Sequence, residues 1–170
     1  MKKYLALAFV FLIVISSVSA LSSPFTVGLG TSLRLGSGTG ETFLTGSLDI
    51  GSVLGGRTSP VSFTLDFKTD LGFNPSESTV LFNFSLLSGA TVDFDGDFFV
   101  DLLASFSTSV TTDEGKGGDR FDYAPGVALN IGTNLDDSGF LTIYIGMGAE
   151  YRIVKKKPLF SVSCGMKMGL

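Results

Sequence analysis

Beyond about residue 24 the chain alternates apolar and polar side chains almost without a break. A period of two means extended backbone, because successive side chains of a strand leave on opposite faces. Eight such segments follow one another, separated by turn residues. Strand one is predicted over 25–35, with Phe25, Val27, Leu29, Leu33 and Leu35 on one face and Thr26, Gly28, Gly30, Ser32 and Arg34 on the other. Strand two, over 42–54, sets Leu44, Leu48, Ile50 and Leu54 against Thr45, Ser47 and Asp49. Strand three, over 61–73, is the cleanest: Val61, Phe63, Leu65, Phe67, Leu71 and Phe73 oppose Ser62, Thr64, Asp66, Lys68 and Asp70. The remaining strands are predicted over 79–94, 98–110, 122–133, 140–154 and 159–170. Asp95-Gly96 is a two-residue hairpin signal. Pro125 removes a ladder donor inside strand six, so a bulge or a late start is expected there.

Length decides what kind of sheet this is. The predicted strands run roughly 11–16 residues, whereas soluble strands are usually about 5–6 and tilted membrane strands need about 9–11. One face is nearly all Leu, Val, Ile, Phe and Met; the other is Gly, Ser, Thr and Ala with scattered charges. Eight strands closed on themselves leave an interior just wide enough for side chains to fill. Small and polar residues fit that interior, and an apolar ring fits lipid, where every backbone group must be paired internally. The expectation is an all-β, eight-stranded antiparallel up-and-down transmembrane barrel. Phe25, Phe73, Phe94, Phe98, Tyr123, Tyr151 and Phe160 fall on the apolar face near strand ends, as an interfacial girdle would, with Phe in place of the absent Trp. The competing arrangement, a soluble lipocalin-like barrel with its apolar face inward, would turn a Gly- and Ser-rich surface poor in Lys and Glu toward water.

The first twenty residues have a different pattern. Lys2 and Lys3 precede an apolar run from Leu5 to Val18, and Val18-Ser19-Ala20 ends in small residues. This is the layout of an export signal, too short for a comfortable membrane helix. Residues 1–20 are therefore expected to be removed, leaving a single barrel domain over 21–170. Losing Lys2 and Lys3 takes the formal net charge from −4 to about −6, against a nucleic-acid partner. Cys164, the sole cysteine, permits no intrachain disulfide and alternates with Val162 and Met166, as an apolar outward residue would.

These features together resemble the small eight-stranded outer-membrane barrels: OmpA transmembrane domains, OmpX-like and opacity-type proteins. The resemblance spans 21–170 and rests on pattern. In the last strand Phe160, Val162, Cys164, Met166, Met168 and Leu170 alternate to the final residue, similar to the signal read by the barrel-assembly machinery. That family usually ends in Phe rather than Leu. The resemblance implies a bacterial outer-membrane location, both termini in the periplasm and the turns at 36–41, 74–78, 111–121 and 155–158 outside. No additional peptidoglycan-binding domain is expected, since the barrel takes up 21–170. Membrane lipid and the assembly machinery are the implied partners, and a monomer is expected.

Chemistry is mostly excluded. The chain has no His, so a Ser–His or metal–His centre of the kind found in barrel acyltransferases and deacylases cannot form. An enzyme is not expected, nor a cofactor or metal. Asp66 and Asp70 share a face, but Lys68 lies between them and favours neutralisation over acid–base work. Asp93 to Asp97 with Asp101 lacks the spacing and terminal Glu of a Ca²⁺ loop. Gly28-Leu29-Gly30 is no nucleotide fingerprint, since no helix follows. Lys155-Lys156-Lys157 is a basic turn able to meet anionic headgroups, or simply a solvated one.

What remains is charge on the polar face: Arg34, Asp49, Asp66, Lys68, Asp70, Asp93, Asp101, Glu150, Arg152 and Lys167. In a narrow interior these must be paired or hydrated. Three layers are expected: Arg34, Asp70, Glu150 and Arg152 toward the outer end; Asp49, Asp66 and Lys68 in the middle; Asp93, Asp101 and Lys167 toward the periplasm. Such a lumen is expected to be plugged, which leaves a structural or surface-interaction role. A narrow porin-like conduit for water, ions or small solutes is the alternative.

Overall fold

The computed structural model describes residues 25–36, 41–54, 60–74, 76, 78–94, 97–112, 120–135 and 141–169. The expected export signal, the Asp95-Gly96 turn, residues 113–119 and Leu170 lie outside them. The described chain forms eight strands: β1 (Phe25–Gly36), β2 (Thr42–Leu54), β3 (Val61–Asn74), β4 (Thr79–Phe94), β5 (Phe98–Thr112), β6 (Arg120–Asn134), β7 (Leu141–Arg152) and β8 (Lys157–Gly169). Each pairs antiparallel with the next, and β1 closes on β8, giving an up-and-down barrel. Among the described residues there is no helix. One end of the barrel carries both strand termini and three connections; the other carries four.

The period-two pattern dictates which side chains enter. Ser32, Arg34, Thr45, Asp49, Asp66, Asp70 and Asp101 are buried in the lumen, while Leu29, Leu44, Ile50, Phe84, Leu102 and Ile145 stand exposed on the outside. The inward-apolar arrangement is thus ruled out. The outward face is a continuous band of Leu, Ile, Val, Phe and Met. Fully burying one such side chain is worth about 1.5–3 kcal/mol, so leaving the band in water would outweigh the ~5–15 kcal/mol that holds a domain together.

Strand ends moved by one or two residues from their expected places. Residues 120–121 join β6, so Phe121 is a strand residue. β7 stops at Arg152, not 154, and the turn occupies 153–156. The cause is local: the buried Asp122 carboxylate accepts the Val154 N–H (3.0 Å), diverting it from the ladder, and Lys156 adopts a left-handed backbone at φ 53°. Pro125 lies opposite Phe106 of β5 but just outside the β6–β7 register, which begins at Gly126. Pairing with β7 therefore stops where proline has no N–H to offer. It resumes beyond, where Ile153 N donates to Tyr123 O (2.8 Å).

Two glycines show where the wall has slack and where it has none. A Cβ at Gly89 of β4 would sit 2.0 Å from the Leu102 carbonyl oxygen, whereas one at Gly46 of β2 would meet nothing within 4 Å. Gly89→Ala should cost about 1–3 kcal/mol by forcing backbone apart. Gly46→Ala should stay within about 0.5 kcal/mol of the parent. Urea unfolding of the two variants in detergent micelles compares them; equal midpoints would contradict the tight approach of β4 to β5.

Candidate functional site

The lumen is where the fold gathers its chemistry. Arg34 of β1, 4% exposed, stands between two carboxylates from distant strands. Its guanidinium donates to Asp70 Oδ2 of β3 (3.2 Å) and to Glu150 Oε2 of β7 (2.5 Å). Asp70 also accepts from the Asn83 amide of β4 (2.9 Å) and has Lys68 Nζ at 3.5 Å from its other oxygen. Asn83 in turn donates to Ser85 Oγ (2.8 Å). Bidentate-capable Arg suits this place, since one planar fork can hold carboxylates from two walls.

A second cluster lies toward the three-turn end. Lys167 of β8 forms an ion pair with Asp66 of β3 and lies 5.7 Å from the Tyr144 ring centroid. Tyr144 of β7 donates its hydroxyl to Asp49 Oδ2 of β2 (3.1 Å). Next to it, Asp101 of β5 accepts from Thr91 Oγ1 (2.7 Å) and from the Asn130 amide (3.2 Å). Asp93 is half-buried at the three-turn rim, where its backbone N donates to Pro60 O (2.9 Å). At the four-turn mouth Arg152 pairs with Glu41, and Lys155 Nζ stands 3.9 Å from the same carboxylate.

The ion pairs run across the expected layers. Arg152 pairs with Glu41 at the mouth. Lys68 stands opposite Asp49 in the β2–β3 register and lies 3.5 Å from Asp70, while Lys167 pairs with Asp66. The physical reason is stagger: strands of a small barrel tilt by about 35–45°, so residues at equal depth are not at equal positions along their strands. Glu41, Asn83, Asn130 and Tyr144 escaped sequence reading. Glu41 was placed in a turn, and the polar amides carry no charge to flag them; the inward parity of Tyr144 between Ile143 and Ile145 was the available signal.

Between the two clusters is a cavity of about 60 Å³, lined by Arg34, Asp49, Asp66, Asp70, Ser105 and Ser163. It has room for a few waters. Ser105 Oγ, Asp49 Oδ1 and Asp66 Oδ1 are buried there without a protein partner. Among the described residues no three His, Cys, Asp or Glu side chains converge as a metal site would require.

No protein-family model matches the chain, and no curated protein sequence matches it. Solved structures do. The attachment invasion locus protein Ail of Yersinia pestis superposes with a TM-score of 0.62 at 10% identity, covering 87% of this chain and 97% of Ail. Neisserial surface protein A gives 0.59 at 14% identity, covering 87% and 97%. The outer membrane enzyme PagL gives 0.54 at 9% identity, covering 84% and 99%. The chain has the fold of these small eight-stranded barrels, with its strands in one closed antiparallel ring.

Two outcomes test this site. Arg34→Met leaves Glu150 without its guanidinium partner and Asp70 with only Asn83 and Lys68, and removing one partner of a buried pair costs about 3–5 kcal/mol. The denaturation midpoint should fall accordingly; an unchanged midpoint would show that Arg34 does not hold the walls together. At the mouth, burial pushes the Glu41 carboxyl up, but the Arg152 hydrogen bond and the charges of Arg152, Lys155 and Lys157 outweigh it and hold Glu41 below its ordinary value of 4.5. A carboxylate held low stabilises the fold above its unfolded value and stops doing so as pH falls through the folded one. Between pH 7 and 4.5 the stability gap between the parent and Glu41→Gln should be constant. Below 4.5 it should narrow, as urea titrations at stepped pH would show.

Proposed function

We propose that this chain is an integral protein of a bacterial outer membrane, with a lumen closed by its own charges and a structural or surface-interaction role. The observation that carries the reading is the pairing of an apolar outer wall with ion pairs that bridge non-adjacent strands inside: Arg34 to Asp70 and Glu150, and Lys167 to Asp66. An apolar exterior with all strands paired suits lipid, which tolerates no open sheet edge. The likeness to Ail and Neisserial surface protein A supports the same setting.

Residues 1–20 act in this reading as the export signal. The four-turn end faces outward and the termini face the periplasm, with β8 and its outward Phe160, Val162, Met166 and Met168 presented to the assembly machinery. The barrel is a monomer. The lumen acts as a plug: side chains bridge its walls, and the space between them holds only a few waters. The role is non-enzymatic, because a chain without His has no imidazole base, and the resemblance to PagL extends to fold alone. The unpartnered oxygens of Asp49 and Asp66 beside the central cavity favour the second reading, a narrow hydrated conduit.

Planar-bilayer conductance of the folded protein separates the two. Silence is the expected result for the plug. Discrete steps whose size changes in Asp66→Asn would establish the conduit and overturn the plug.

A further inference from the structure

The β7–β8 turn carries a feature that a plugged barrel does not need. Lys155, Lys156 and Lys157 follow one another at the four-turn end. Lys155 is half-buried and lies 3.9 Å from Glu41, whose carboxylate also holds Arg152. Lys156 in the turn and Lys157, the first residue of β8 and opposite Arg152 in the register, are exposed. The other nearby acid, Asp122, is buried and spends one oxygen on the N–H groups of Tyr123 (2.9 Å) and Val154 (3.0 Å). Together with the Ile153 N to Tyr123 O bond (2.8 Å), these contacts latch the turn to β6. Among the described residues, Lys156 on this fixed turn and Lys157 at the start of β8 therefore leave positive charge in excess of the nearby carboxylates.

Directly beside them the outward face is apolar and aromatic. Phe121 and Tyr123 of β6, Tyr151 at the end of β7, Ile153 and Val154 of the turn, and Phe160 of β8 are all exposed. The register sets Tyr151 against Pro158 and Ala149 against Phe160, so this surface is continuous across β7 and β8, and the Ile153 N to Tyr123 O bond joins β6 to it. Cations above an apolar wall match one kind of molecule: a lipid whose headgroup carries negative charge and whose chains run along the barrel.

We propose that the β7–β8 turn binds the phosphate of an anionic membrane lipid, Lys156 and Lys157 meeting the headgroup while Tyr123, Tyr151 and Phe160 pack against its acyl chains. The proposal rests on the membrane reading given above. Lysine near a membrane surface adds a roughly five-fold preference for anionic lipid at low salt, and that preference is screened as ionic strength rises. Lysine is suited to the task as a compact charge that needs no fixed fork geometry.

The test uses the exported protein purified from membranes of an expressing bacterium and reconstituted into vesicles. The chain has no Trp, and Tyr123 and Tyr151 lie on the proposed surface, so tyrosine fluorescence reports on neighbouring lipid. Brominated phosphatidylglycerol should quench it more effectively than brominated phosphatidylcholine at equal mole fraction. Lys156→Gln and Lys157→Gln should each reduce that preference by roughly five-fold, and the double variant should abolish it. Heat-modifiable mobility confirms that each variant is a folded barrel. Equal quenching by the two lipids in a folded, inserted barrel overturns the proposal and leaves the membrane reading intact, as does a preference that survives the double variant. Loss of the preference on adding excess inorganic phosphate at constant ionic strength also overturns it, since the turn would then take soluble phosphate and not lipid. A protein that inserts into neither lipid sinks the membrane reading, and the lipid site with it.

Discussion

Closure of β1 onto β8 is the constraint on which the rest depends. Thr26 to Leu35 of β1 pair with β2 on one side and with β8 on the other, so neither edge is left open. An open edge bordered by Leu, Phe and Ile would expose unpaired N–H and C=O groups inside an apolar surround, at several kcal/mol each. Once the ring is closed, the outward apolar band is tolerable only in a non-aqueous medium, and the inward side chains have to settle with one another in a narrow space. Both consequences follow from the same step.

The interior settles by charge and by smallness together. Arg34 and Lys167 each reach carboxylates on strands that are not their neighbours, while Gly28 and Gly30 of β1, Gly146 and Gly148 of β7 and Ser163 of β8 keep side-chain bulk out of the lumen. Buried pairs of this kind gain little over a well-packed apolar core, but breaking one partner is costly. The arrangement therefore fixes the walls at a set separation more than it adds net stability. Leucine enters the lumen at Leu81, Leu103 and Leu159.

The mouth and the turn beside it are built on a different logic. There Glu41 draws in Arg152 and Lys155, and Asp122 captures backbone donors, so that the β7–β8 turn is tied down while Lys156 on it and Lys157 at the start of β8 stand exposed. Anionic and cationic groups at this rim are close enough to water to be screened. They shape the entrance and present a basic surface; the deep pairs set the frame.

How much of this was legible follows from the periodicities involved. Alternation along each strand was enough to place Leu44 and Ile50 outside and Thr45 and Asp49 inside, because a β-strand permits side chains only two directions. Strand length and the even number of segments then sufficed for an eight-membered ring, and β4 came out at 79–94 to the residue. The missing His removed a whole class of chemistry before any geometry was known. The cross-barrel partners of the lumen charges were not legible: Arg34 reaching Glu150, Lys167 crossing to Asp66, Arg152 turning to Glu41. They depend on strand tilt and stagger, which couple residues more than ninety positions apart and leave no local mark in the chain. Sequence alone determined which face each residue occupies, since that is a property of the backbone one strand at a time; only the closed tertiary structure decided which charges meet, since that is a property of the ring.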